Sequence, residues 1–158
     1  MLARFEPDER SGVEASIAGK LGAKSRVVLG AVAFRPEVTG PLVDAGVVGA
    51  RAAGISHVIV NANVERQLRN GWSVDAAASY WSERWANTAN TFKTPAVTTV
   101  NLGARCRFQL ARRPADFRIL ASNITGAEGY LASPSGVLSP IAPRTVRALL
   151  TMTFGPKE

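Results

Sequence analysis

The residues that ordinarily carry chemistry are scarce here and badly spaced for it. The chain has one cysteine, Cys106, and one histidine, His57, so neither a disulfide framework nor a His/Cys metal site can be assembled within it. No paired carboxylates, Ser/His/Asp set or phosphate-cradling glycine loop occurs at usable spacing. Gly46, Gly49 and Gly54 belong to a loop and do not open a helix after a strand. The expectation is a protein that is not an enzyme and uses no cofactor and no metal. What remains is a scatter of charges and aromatics, whose meaning depends on the elements that position them.

Composition narrows the class. The 19 Lys and Arg exceed the 12 Asp and Glu, a balance that suits nucleic-acid binding. The cations are nevertheless scattered in ones and twos, with Arg112 and Arg113 beside Pro114 as the densest pair. A basic stripe interleaved with stacking aromatics is not evident, so nucleic acid is not an expected partner. The first ten residues carry Glu6, Asp8 and Glu9 and no apolar run, unlike a secretory signal. Nowhere do about 18 apolar residues follow one another, as a membrane-spanning helix requires.

The dominant pattern is a two-residue apolar period broken by short Gly, Asn or Pro punctuation, the mark of antiparallel strands. In residues 97–108, Val100, Leu102, Ala104, Cys106 and Phe108 fall on one face and Thr99, Asn101, Gly103, Arg105 and Arg107 on the other. Residues 144–154 repeat this, with Val146, Ala148, Leu150, Met152 and Phe154 opposite Thr145, Arg147, Thr151 and Thr153. Trp72, Val74, Ala76, Ala78 and Tyr80 oppose Ser73, Asp75 and Ser79, and Val58, Val60, Ala62 and Val64 oppose His57, Asn61, Asn63 and Glu65. Residues 13–21, 26–34 and 116–124 complete a set of about seven strands. The Asn70-Gly71 dipeptide suits positive φ, which places a two-residue hairpin turn there.

Connections alternate in length. Short ones fall near residues 22–25, at Asn70-Gly71 and near 111–114; long ones run over about 35–56, 84–95 and 125–143. Transmembrane barrels have short periplasmic turns, longer extracellular loops, and strands of about 9 to 11 residues that alternate apolar-out and polar-in. The expected fold is therefore all-β: an antiparallel up-and-down meander of about seven strands, the C-terminal portion of a transmembrane β-barrel. The expected organisation is a remnant N-terminus (1–10), a barrel segment (11–154) and a tail (155–158). The alternatives are a porin-like barrel segment and a soluble β-rich binding protein, whose loops have no reason to segregate by length.

Two stretches resemble a known family. Residues 89–96, Ala89-Asn90-Thr91-Phe92-Lys93-Thr94-Pro95-Ala96, followed by Val100-Asn101-Leu102-Gly103-Ala104-Arg105-Cys106-Arg107-Phe108, are similar to the last strands of TonB-dependent outer-membrane receptors, especially those importing ferric siderophores. Asn101 stands where the family carries Asp, and Cys106 where it carries Tyr. Residues 122–130, with Asn123, Ile124 and Tyr130, resemble the element that follows, departing from it at Thr125 and Gly126. The final strand ends on Phe154, the aromatic that the barrel assembly machinery reads in this family.

The resemblance implies binding and gated transport of a ferric siderophore in the outer membrane, in contact with its lipid, within a barrel of about 22 strands that encloses a plug. Seven strands would be about its last third, so the expectation is a truncated chain that lacks the plug and the TonB-contacting region. Ligand-facing groups are then expected at the long-loop end: Trp81, Arg84, Trp85, His57 and Tyr130. Glu65, Asp75, Arg105, Arg107, Asp116 and Arg118 are expected to point into the lumen as a charge network pairing across strands.

Overall fold

The computed structural model describes residues 10–133 and 135–154. All but the last residue of the expected N-terminal remnant, and the whole of the expected tail, lie outside the described residues. In chain order the elements are β1 (Arg10–Leu21), β2 (Ser25–Pro36), a short helix α1 (Pro41–Asp44), β3 (Val58–Gln67), β4 (Trp72–Trp81), β5 (Arg84–Trp85), β6 (Lys93–Thr94), β7 (Val97–Leu110), β8 (Arg113–Ser122), β9 (Tyr130–Ala132), β10 (Leu138–Pro140) and β11 (Thr145–Met152). One seven-stranded sheet runs β1-β2-β3-β4-β7-β8-β11, each neighbouring pair antiparallel. The protein is all-β, an up-and-down meander, as the alternation requires. The pairs β5/β6 and β9/β10 are small hairpins inside two of the long connections.

Register makes the alternation continuous across the whole sheet. Gly19, Val27, Val64, Ala76, Leu102, Ala121 and Val146 are successive cross-strand partners from β1 to β11. One residue along lies the row Lys20, Arg26, Glu65, Asp75, Gly103, Leu120 and Arg147, on the opposite face. A side-chain period of two means that a slip of one residue at any seam would move an entire strand to the wrong face. No seam slips.

The turns achieve this in a way that corrects the expected hairpin. Gln67 pairs with Ser73, so the β3–β4 connection centres on Asn70 and is odd, with Arg69, Asn70 and Gly71 between Leu68 and Trp72. A two-residue turn would have set Val64 across from Ala77 and brought the apolar set of β3 against the polar set of β4. The true two-residue turn is Ala111-Arg112, closed by the Leu110–Arg113 pair. Both of its residues take positive φ, 50° and 60°, the geometry that matches strand twist and that Asn-Gly usually supplies.

The hairpins also step in one direction. Ser25, at the first turn, pairs with Arg66, while the second turn begins beyond Leu68; Trp72, leaving that turn, pairs with Cys106, while the third turn lies beyond Leu110. A constant-sign stagger is the shear of strands tilted as in a barrel wall. Its two outer strands, β1 and β11, each pair on one side only among the described residues.

Where the protein buries residues is equally telling. Among the described residues the buried hydrophobic side chains are Ala53, Ala86, Val97, Ala115 and Ala132, with Pro36, and no Leu, Ile or Phe is among them. The apolar row stays open, with Val13 73%, Ile17 67% and Val146 64% exposed. Burying each such side chain is worth about 1.5–3 kcal/mol, and these three side chains forgo most of it.

Candidate functional site

The polar face of the sheet holds the six expected network residues. Asp116 on β8 is the hub: its Oδ2 accepts from Arg105 Nε at 2.6 Å and stands 2.5 Å from Arg105 Nη2, with Arg107 Nε at 3.7 Å. Register explains the reach, since Arg107 lies directly opposite Asp116 while Arg105, opposite Arg118, reaches diagonally. Arg118 approaches Asp75 at 3.9 Å. Asp75 in turn occupies a notch that glycine leaves open, because a Cβ on Gly103 would fall 2.4 Å from its Oδ1. Glu65 faces Asp75 across β3 and β4 without an ion pair among the described residues, and lines a polar cleft with Lys20, Lys24 and Arg26. All these groups are partly solvated, so the network orders the wall more than it stabilises it. Alternation placed these residues; the Gly103 notch was missed, because its signal is an absence of side chain.

The long-loop end is where the chain packs against itself. Residues 37–57 and 82–96 are stitched together by Gly49 N–H to Thr88 O at 2.8 Å and Gly54 N–H to Trp85 O at 2.7 Å. Asn90 completes the seam: its Oδ1 accepts from Arg51 N–H at 2.9 Å and its Nδ2 donates to Arg51 O at 2.8 Å. The amide thereby imitates one rung of a β-ladder. Asn90 has φ 53°, a conformation that Asn tolerates better than most residues. Asn123 does the same work in the last loop, with φ 49° and bonds from its Nδ2 to Ala127 O and Ala142 O, each 2.9 Å, and from Ala127 N–H to its Oδ1 at 2.9 Å. Asparagine at the start or bend of a loop was the available sequence signal for both, and it is a weak one.

Of the expected ligand-facing residues, three lie together within residues 81–85, and His57 and Tyr130 each line a cleft of their own. Trp81 closes β4 on the polar face, paired with Ile59 and Val97. Arg84 follows and is only 7% exposed, its Nε and Nη2 without partners, as is Oγ1 of its cross-strand neighbour Thr94. Burial pulls the Arg84 pKa below its ordinary value, yet a guanidinium stays charged in proteins. This desolvated cation is therefore buried instead of opening to solvent. Trp85 is engaged as well, with Lys93 Nζ 4.6 Å from its ring centroid and bonded to Glu83 at 2.5 Å. His57 belongs to the same strand ends, in a cleft of about 560 Å³ with Ser11, Phe34 and Arg35. Tyr130 lines a separate cleft of about 530 Å³ with Glu128 and Arg144. Among the described residues, no three His, Cys, Asp or Glu side chains converge as a metal-ligand set.

Phe154, the expected assembly aromatic, shares the parity of Met152 and stands under Arg113, whose Cζ is 5.1 Å from its ring. No protein-family model and no curated protein sequence matches the chain. Its fold is similar to that of BauA, the ferric preacinetobactin receptor from Acinetobacter baumannii, with a TM-score of 0.80 over 90% of this chain at 23% identity. The chain spans 22% of the length of that receptor. At this identity the likeness is one of fold: a seven-stranded meander built like a part of a siderophore receptor.

Proposed function

We propose that the chain is a wall segment, over residues 11–154, of an outer-membrane receptor of the TonB-dependent type that binds and admits a ferric siderophore without catalysis. The observation that carries this reading is the seven-strand row of open apolar side chains backed by a charged row, with short turns at one end and stitched loops at the other. An open sheet edge leaves N–H and C=O groups unpaired, which hydrocarbon does not tolerate, so the two edges must be paired, by further strands or, in vesicles of this chain alone, by other copies of it. Trp81, Trp85 and His57 then stand at the outer mouth, with Tyr130 on the next loop, as surfaces for an anionic ferric chelate, while Arg84, 7% exposed, lies below that surface and does not reach the chelate. TonB acts through a region outside this segment, and Phe154 is the signal to the barrel assembly machinery.

Tryptophan placement tests the reading. Trp72 lies on the apolar face, 43% exposed and paired with Cys106, whereas Trp81 lies on the polar one. In a Trp81→Phe/Trp85→Phe variant of the full chain, reconstituted in vesicles, chain-brominated lipid should quench the remaining Trp72 emission strongly. A sole Trp81 should instead resist brominated lipid and respond to added ferric chelate. Equal lipid quenching at both positions, or none at Trp72, would overturn the membrane reading.

A further inference from the structure

The short turns carry cations and no acid; the nearest carboxylate, Glu65, lies beside Arg66 in sequence on the opposite, polar face and shares a cleft with Lys24. Each of the three turns contributes one cation: Lys24, Arg69 and Arg112. Two more lie beside them on the apolar face itself. Arg66 occupies the row of Ser25 and Val74, and Arg113 shares the parity of Ala115, the partner of Phe108 and Met152. All five are exposed, and none enters an ion pair among the described residues. The long loops differ, since Glu37, Asp44, Glu83 and Glu128 are interspersed there and Arg51 and Lys93 are paired to Glu37 and Glu83.

An arginine on an apolar face is costly in mid-bilayer but not at its margin, where the stem lies on apolar surface and the guanidinium reaches the headgroups. The neighbours fit that level: Trp72, Phe108 and Phe154 stand on the same face at the same end, as aromatics of an interfacial belt do. Guanidinium groups bind phosphate oxygens through two parallel hydrogen bonds, which water does not match.

We infer that Lys24, Arg66, Arg69, Arg112 and Arg113 form a rim that docks on anionic phospholipid headgroups of the leaflet at the short-turn end. The inference rests on the barrel-wall reading and adds the lipid class that the wall selects. An acidic protein would be drawn equally to cations of the polar face, such as Lys20 and Arg26. The outward placement of Arg66 and Arg113, beside aromatics that face lipid, favours the bilayer.

The test compares the full chain on vesicles of phosphatidylcholine alone with vesicles containing about one-third phosphatidylglycerol. Flotation measures binding and quenching of Trp72 by brominated chains measures insertion. Each engaged cation should raise partition by about fivefold on the anionic vesicles, so a rim of several predicts at least about tenfold. High salt should erase that preference, because screening at about 1 M shortens the Debye length to about 3 Å. Replacing the five cations by Gln should also erase it while insertion into phosphatidylcholine persists, and Lys20→Gln/Arg26→Gln should leave it intact. Equal partition of the unaltered chain between the two lipids overturns the rim while the barrel reading stands. Loss of the preference in the Lys20/Arg26 variant places the anion inside the wall and likewise overturns it. Failure to insert into either vesicle removes the barrel reading, and the rim with it.

Discussion

Gly71→Ala is the sharpest perturbation of this sheet. Gly71 has φ 77°, and an alanine held in that left-handed region costs about 1–2 kcal/mol. Its Cβ would stand 2.2 Å from the carbonyl oxygen of Arg107, which is backbone and cannot swing aside; reaching even 3.0 Å requires β7 to withdraw by about 0.8 Å. That withdrawal stretches the hydrogen bond from Arg107 N–H to Gly71 O, 3.0 Å long, a loss of about 1 kcal/mol. The expected destabilisation is about 2–3 kcal/mol, measured by urea titration of the full chain folded in detergent micelles and followed by tryptophan fluorescence. Asn70→Gly is the control: at φ 56° glycine is relaxed, and stability should hold within about 0.5 kcal/mol or rise. A Gly71→Ala midpoint indistinguishable from that of the unaltered chain would mean that the second turn does not close against β7 in this register.

Three further outcomes follow from the turns and loops. Ala111→Gly should stabilise the chain by about 1 kcal/mol in the same titration, because Ala111 sits at φ 50° where glycine is unstrained. Asn123→Ala should cost about 3 kcal/mol by removing bonds to Ala127 and Ala142, and limited proteolysis should cut residues 124–143 faster while β7 and β8 remain protected. Asn90→Ala deletes both bonds to Arg51, so amide exchange at Arg51 should accelerate by about tenfold or more with the sheet amides unchanged.

Much of this fold is legible in the order of the residues. The two-residue period of residues 97–108 and 144–154 named the apolar set of each strand, and that set is the one that forms the continuous row. The same parity put Glu65, Asp75, Arg105, Arg107, Asp116 and Arg118 together on the other face. The turns were less legible. Asn70-Gly71 is the strongest short hairpin signal in the chain, yet the paired apolar faces of β3 and β4 forced a three-residue turn there. Ala111-Arg112, a poor sequence for the role, was forced into the two-residue turn by the parity of β7 and β8. Seam geometry outweighed local preference because misfacing a whole strand costs far more than about 1–2 kcal/mol of strain in one residue.

Arg84 shows the other limit. Its type and position beside Trp81 and Trp85 marked it as an outward cation, and no local pattern could report that it would be buried. Alternation is a property of neighbours along the chain, so strand identity, facing and loop length were already present in the order of the residues. Register, the shear between hairpins, the Gly103 notch for Asp75 and the Asn90 seam depend on which distant backbone comes alongside. Only the whole set of antiparallel pairs decides that, because each pairing is fixed by what it does to every other strand.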